Sequence, residues 1–338
     1  MTRNTLAAAL MHAWMRRGLL AWLLWPLSLL FEVLVRLRSF FYRQGWLIQH
    51  RLPVPVIVVG NIFVGGTGKT PLTIWLLNQL KQAGYQPGVI SRGYGGRQSQ
   101  AQVVSLDSHS KDVGDEPMLI AQHSGCPVVV GRNRVDAGRS LLAAFPDVDV
   151  IVSDDGLQHL ALYRDIEIML FDSRGAGNGW LLPAGPLREP LSRRRDFTVV
   201  NLNSGESVSA DLPSDTVRMQ LTGSCAKQLM HADQCRLLNQ IDPALKITAA
   251  AGIGNPERFF SMLRHHGLRF SSVPLADHFD FLDNPFKNLS ADMILITEKD
   301  AVKCRQLNDI SDDPRIWVVA VEAELEAGLI DGLLKKLH

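Results

Sequence analysis

An α/β fold in two domains, with a helical segment ahead of them, is what the sequence predicts, and three observations carry the prediction. Short apolar runs bounded by turn residues alternate with amphipathic stretches along both halves, the pattern of parallel strands joined by crossover helices. One such run, Val54 to Val59, leads through Gly65-Gly66-Thr67-Gly68 into Lys69-Thr70 and an apolar-periodic stretch, the strand–loop–helix order of a phosphate-binding loop. The first 51 residues differ from the rest, with seven arginines, one acid (Glu32), no lysine and four of the seven tryptophans. The expected divisions are 1–51, a membrane-associating helical segment; 52–202, a parallel-sheet domain of the P-loop NTPase type; and 203–338, a smaller α/β domain including its linker.

In the loop, glycines let successive backbone N–H groups curl around a phosphate without Cβ clashes. A helix opening at Thr70 would aim its positive end at the same phosphate. Gly65, Gly66, Thr67, Gly68, Lys69 and Thr70 are therefore the candidate nucleotide-binding residues. Lys69 is expected to reach the terminal phosphates and Thr70 to ligate Mg²⁺. The spacing departs from G-x-x-x-x-G-K-T at its first position, which is Phe63.

With 338 residues there is room for two cores, and a net charge of +1 gives no nucleic-acid signature. Cys126, Cys225, Cys235 and Cys304 are scattered, which fits a reducing compartment and neither zinc nor a disulfide framework. Gly18 to Phe31 is uncharged, 14 residues interrupted by Pro26, against the ~20 that span a bilayer. FEVLVRLR follows it where a signal peptide would have a small-residue cleavage site. A helix lying in the membrane interface, tryptophans at headgroup depth and arginines on anionic lipid, is favoured over a spanning helix or one packed on the protein's own core.

After the loop come a helix over Pro71 to Gln82, capped near Gly84, and a strand over Pro87 to Ser91 that ends in a basic loop, residues 92–97. Asp115 and Glu116 open the next helix; adjacent acids there serve as caps and dipole partners or, alternatively, as a base for a hydroxyl. Pro127 to Gly131 is a strand followed by Arg132-Asn133-Arg134, which suits an anion site and a solvated turn equally. Val148 to Asp155 is a buried strand ending in two acids, so Asp154 or Asp155 falls near the loop's Mg²⁺. Ser173 to Arg195 lacks periodicity; its Trp180, Leu181, Leu182 and Leu187 beside Arg188, Glu189 and three further arginines suit a ligand part greasy and part anionic.

In the second half, Asn203 to Asp215 reads as a linker. Leu245 to Gly267 repeats strand, glycine turn and helix; Met293 to Thr297 is a strand, Lys299 to Cys304 starts a helix, and Arg315 to Val321 is the last strand expected. Thr297-Glu298-Lys299-Asp300 has its lysine one place late for a guanine reader, which favours ATP.

Together, VGNIFVGGTGKTP (59–71), SRGYGG (91–96), VGDEP (113–117), GRNR (131–134), SDDGLQH (153–159), PAGPLREP (183–190), DHFDF (277–281) and ITEKDAVK (296–303) resemble, in order along nearly the whole chain, the tetraacyldisaccharide 4′-kinases of lipid A biosynthesis. The resemblance implies ATP- and Mg²⁺-dependent phosphorylation of the 4′-hydroxyl of a tetraacylated disaccharide 1-phosphate, at the cytoplasmic face of the bacterial inner membrane. It implies two α/β domains joined by a two-stranded linker, with a non-glycine at position 63. It makes Asp115 the general base and His278 its partner; the two lie in different halves, so closure of the C-terminal half is expected to bring His278 in. Lys69 then stabilises the transferred phosphoryl group, Thr70 with Asp154 or Asp155 holds Mg²⁺, and Glu116, Arg132, Arg188 and Glu189 are candidates for the acceptor. The partners expected are the lipid A disaccharide precursor and a membrane surface, with no nucleic acid and no obligate protein partner. A membrane-associated P-loop ATPase switch is the rival reading, and GDEP and the distal histidine would be idle in it; a non-enzymatic adaptor on a decayed loop is opposed by the intact Lys69, Thr70, Asp154 and Asp155.

Overall fold

Val56 to Gly60 forms β1, buried at every position. A strand covered on both faces needs no polar alternation. Ile57 and Val59 enter one core layer, Val56 and Val58 the other. The computed structural model describes residues 10, 11, 13–93, 100–105, 107–231 and 233–337. Tyr94 to Arg97 of the expected basic loop lie outside them.

Around β1 stand β2 (Pro87–Ser91), β3 (Gln102–Val103), β4 (Val128–Val130), β5 (Val150–Asp154), β6 (Ile166–Asp172), β7 (Phe197–Asn201), β8 (Val217–Thr222) and β15 (Glu322–Leu325), in the order β15-β8-β7-β6-β1-β5-β2-β4-β3. All neighbours are parallel except β3 on β4 and β15 on β8. Helices cover both faces: α2 (Lys69–Gln82), α4 (Asp115–Ser124, entered from the short α3, Ser110–Val113) and α9 (Leu329–Leu337) on one, α5 (Arg134–Ala144) on the other. Strand order reverses at β1, so the crevice beyond its carboxyl end is where a ligand is expected. α2 starts at Lys69, two residues ahead of the expected Pro71.

The second sheet holds β9 (Cys225–Gln228), β10 (Cys235–Leu237), β11 (Ile247–Ala251), β12 (Ser271–Pro274), β13 (Met293–Thr297) and β14 (Ile316–Val319), in the order β10-β9-β14-β13-β11-β12. α6 (Pro256–His265) follows β11, α7 (Glu298–Cys304) follows β13, and the short α8 (Asn308–Ser311) precedes β14. The division expected at 202/203 is moved by this topology: the second sheet spans 225–319, while β8 before it and β15 with α9 after it belong to the first. The chain crosses between the sheets twice, beside the antiparallel β8–β15 pair. Arg315 to Val321 is not the last strand.

Ahead of both sheets runs α1 (Leu19–Arg43), long and apolar enough to cross a membrane by length and composition. Only Ala21 and Ser28 are buried in it; Leu19, Trp22, Leu23, Leu27 and Leu30 face outward. It is nonetheless tied down. Ser28 Oγ donates to the Leu181 carbonyl at 2.6 Å, and Arg38 donates to that of Gln158 at 3.2 Å. Trp22 meets Trp180 edge-on at 4.8 Å, so residues 173–195 are packed under the helix rather than loose.

Candidate active site

The phosphate loop is held by its carbonyls. The Asn61 amide, fully buried, donates to the carbonyls of Phe63 (2.9 Å) and Gly65 (3.1 Å) and to Thr67 Oγ1 (3.1 Å). Asn201, at the end of β7, donates to the Thr67 carbonyl at 2.9 Å, and Arg174 to that of Gly66 at 3.2 Å. Gly68 takes φ +98°, and a β-carbon there would lie 2.4 Å from Asn201 Nδ2. No side chain caps α2 and no acid stands in its first turn, so its positive end is free for an anion. Phe63 explains the departure from the glycine pattern: it is buried, bridges to Leu187 of PAGPLREP, and carries the Arg174 guanidinium 4.3 Å above its ring. The side chain that replaces the glycine fastens the irregular segment to the loop.

Lys69 Nζ lies 3.4 Å from Asn61 Oδ1 and 3.5 Å from Asp155 Oδ1. Asp154 closes β5, buried, accepting from Thr73 Oγ1 (3.2 Å) and Ser91 Oγ (3.4 Å). Burial, with the Glu116 and Asp155 charges, pushes its carboxyl up to about 7 against the pull of Lys69 and Arg134. Asp155 stands just beyond the strand at φ +49°, and its buried Oδ1 has no hydrogen-bond partner. A carboxylate oxygen with no hydrogen bond, paired only with the Lys69 charge and lining the same cavity as Thr70, is chemistry a divalent cation fits. Among the described residues no three His, Cys, Asp or Glu side chains gather into a metal cluster. A cation here would therefore draw on Thr70, phosphate oxygens and water as well.

Across the crevice, Asp115 opens α4 and is 2 % exposed. Its Oδ1 accepts from the Glu116 amide at 3.0 Å; its Oδ2 lies 3.1 Å from His278 Nδ1 and 2.9 Å from Lys303 Nζ. Burial alone would raise this carboxyl, but the His278 hydrogen bond and the Lys299 and Lys303 charges outweigh it and hold it far below the usual carboxylate range. An ionised carboxylate only accepts, so His278 Nδ1 carries the proton. Lys299 Nζ sits 2.9 Å from Glu116, 3.4 Å from Asp277 and 3.5 Å from His278 Nε2. Its own carboxylate neighbours raise it against burial.

These groups wall a single cavity of about 830 Å³. The loop from Gly65 to Thr70, Asp154, Asp155, Glu116, Arg188, His278 and Lys299 line it. Asp115 stands directly behind His278. Arg132 and Glu189 are not brought to it: Arg132 is exposed and not part of the lining, and both Glu189 oxygens are taken, by Gln158 at 2.9 Å and by Arg193. Arg134, which the sequence leaves equally between an anion site and a solvated turn, is 1 % exposed and donates to the Gly131 carbonyl (2.8 Å) and the Asp154 carbonyl (3.3 Å). Trp75, Leu221, Phe259, Met262 and Ala323 also line the cavity and make up its apolar arm.

A doubly wound sheet with an open phosphate loop, two acids at the facing strand end and a carboxylate–imidazole pair across one cavity defines a P-loop phosphotransferase. The family model of the tetraacyldisaccharide-1-P 4′-kinase, LpxK, matches residues 20–338. The tetraacyldisaccharide 4′-kinase of Herminiimonas arsenicoxydans is 56 % identical over 348 residues, covering 99 % of this chain and 97 % of its own. That of Janthinobacterium sp. (strain Marseille) is 56 % identical over 341 residues, with the same coverage. The crystal structure of LpxK from Aquifex aeolicus in complex with ATP is 28 % identical and superposes with a TM-score of 0.78 over 95 % of this chain and 100 % of that one. The chain belongs to the tetraacyldisaccharide-1-P 4′-kinase family. It is a kinase, and the ATPase-switch reading is not favoured.

Proposed function

We propose that the chain transfers the γ-phosphoryl group of ATP to the 4′-hydroxyl of a tetraacyldisaccharide 1-phosphate, at the cytoplasmic face of a membrane, where ATP is supplied. The observation that carries this reading is the Asp115–His278 contact, made from opposite sheets at the wall of the cavity into which the phosphate loop opens. A hydrolytic switch has no use for such a pair; a sugar hydroxyl does, since proton removal by a positioned group is worth about 10²–10⁴ in rate.

Gly65 to Thr70 and the start of α2 grip the nucleotide phosphates, and Lys69 stabilises charge on the transferred group. The cavity's apolar arm takes the base. Mg²⁺, when bound, screens the phosphate charges; Thr70 with Asp154 and Asp155 would hold it, Asp155 presenting the oxygen that accepts no hydrogen bond. Asp115 and His278 orient the acceptor hydroxyl and take its proton as a unit. Glu116 and Arg188 border the acceptor; Arg132 and Glu189 act at a distance, Glu189 by fixing Gln158 beside the loop.

α1 lies on the membrane surface rather than through it. It is bonded to the body at Ser28 and again at Arg38, so its axis is fixed along the protein while its apolar face turns outward. Acyl chains can then stay in the bilayer while the sugar reaches the cavity.

The test is transfer of labelled γ-phosphate from ATP to tetraacyldisaccharide 1-phosphate in mixed micelles, wild type against Asp115→Ala, with ATP binding measured in parallel. Lipid labelling that collapses while ATP still binds is expected. Undiminished labelling in the variant would remove Asp115 from the chemistry, and ATP hydrolysis without lipid labelling in the wild type would remove the kinase reading.

A further inference from the structure

We propose that Lys303 is a positioning residue for the transfer: its ammonium group ties the Asp115 carboxylate to the backbone beside His278 and so holds the proton-accepting pair in register across the two sheets. The inference rests on the Asp115–His278 reading and deepens it.

Three observations converge on it. The first is where Lys303 sits. Its Nζ is 2.9 Å from Asp115 Oδ2 and donates at 3.1 Å to the carbonyl of Phe279, the residue after His278. One ammonium thus touches both the carboxylate of α4 and the loop that delivers the imidazole. Lys303 is not among the residues lining the cavity and its side chain is only 15 % exposed, so it reaches neither nucleotide nor acceptor and acts through its neighbours.

The second is the state of that loop. His278 and Phe281 take φ of +60° and +59°. A non-glycine residue in the left-handed region persists where its surroundings over-determine it. The Phe279 carbonyl held by Lys303 lies between the two, and Phe281, fully buried, anchors the far side.

The third is the division of labour within α7. Lys299 and Lys303 are four residues apart and share a helix face. They meet Glu116 and Asp115 respectively, adjacent residues at the start of α4. Lys299 is the front member, in the cavity and near His278 Nε2; Lys303 is the rear member, behind the carboxylate. Asp300, between them, accepts from the Gly252 amide at 2.9 Å and so holds the other loop that faces the phosphate site. The helix grips both loops of its own half and the catalytic helix of the other.

The charged groups around the pair are Asp115 and Glu116 from α4, Lys299, Asp300 and Lys303 from α7, and Asp277 from the loop itself. Lys303 is one of the cations that hold the Asp115 carboxyl low; removing its charge raises the proton affinity of that carboxylate, so the acid limb of the kcat profile moves to higher pH.

The experiment uses the full chain, ATP and tetraacyldisaccharide 1-phosphate in mixed micelles. For Lys303→Met the expected result is a kcat lower by about tenfold or more, an acid limb moved up by about half a pH unit or more, and an unchanged KM for ATP. Lys303→Arg, which keeps the charge, is expected to leave the limb in place and recover part of kcat. Should Lys303→Met not fold, Lys303→Gln takes the same readouts. A neutral variant with the wild-type limb, or neutral and arginine variants that lose activity alike with the limb unmoved, would overturn the proposal. Asp115→Asn separates the levels: if it retains wild-type kcat the base reading itself falls, whereas an inactive Asp115→Asn beside a Lys303→Met of wild-type profile sinks the lysine inference alone.

Discussion

Gly254, in the turn between β11 and α6, backs onto Gly66 of the phosphate loop: a β-carbon on Gly254 would lie 2.6 Å from the Gly66 amide nitrogen and 3.1 Å from its α-carbon. The second sheet thus touches the very backbone expected to face phosphate. Gly254→Ala should push the two apart. Overpacking of about 1–3 kcal/mol corresponds to a KM for ATP raised roughly five- to 150-fold, with little change in Tm because the strain is released by separation. Steady-state kinetics with ATP varied checks it; an unchanged KM would show the contact to be dispensable.

A second link between the sheets titrates. His123, on α4, is 2.9 Å from Glu298, on α7. The Glu298 hydrogen bond raises the imidazole above its usual value, burial opposes, and the Glu298 charge adds to the rise while Lys227 and Arg305 detract. A raised folded-state pKa gives stabilisation that is complete below the unfolded value and lost as pH rises through the folded one. The Tm gap between wild type and His123→Gln should therefore be open at about pH 6 and closed by about pH 9. It should be small, because the pair is partly solvated. A gap that widens with pH would contradict the pairing.

Arg134 is the buried cation behind the acids. Lys in its place has one nitrogen where the guanidinium places two, Nη1 on the Gly131 carbonyl and Nη2 on that of Asp154, so one carbonyl is expected to lose its donor. Arg134→Lys is expected to lower stability by about 1–3 kcal/mol, the usual penalty of an unsatisfied buried polar group, and to lower kcat through displaced Asp154 and Asp155. Urea unfolding followed by fluorescence measures the first; an unchanged midpoint would mean the site refills with water at no cost.

How much of this was legible in the sequence depends on range. The phosphate loop, the β5 acids and the two alternating α/β halves are local patterns, so periodicity and spacing revealed them. The pairing of Asp115 with His278 spans 163 positions, and only resemblance to known kinases supplied it. Arg132-Asn133-Arg134 offered no local sign of which arginine turns inward; Asn133 decides it by capping α5 with its side chain, accepting from Val135 and Asp136. Glu189 looked free because its partners, Gln158 and Arg193, are set by tertiary packing. α9 was readable and missed: Leu329, Leu333 and Leu337 recur at helical spacing.

The outward face of α1 should govern membrane binding without touching the fold. Leu23 is 76 % exposed and Leu30 57 %. Replacing both by Glu should abolish flotation with anionic vesicles while leaving soluble ATP binding and Tm unchanged. Retained flotation would move the membrane contact to another surface.

One feature of the topology bears on how the molecule is made. Residues 322–337 supply β15 and α9 to the first sheet, yet they leave the ribosome only after all of 225–319 has emerged. The half that begins the chain must therefore wait, its β8 edge uncovered and its α9 groove open, while the half inserted into it can already close. Synthesis reverses the usual order, in which the N-terminal unit finishes first, and the cavity gains its Glu322 and Ala323 wall only when β15 joins β8.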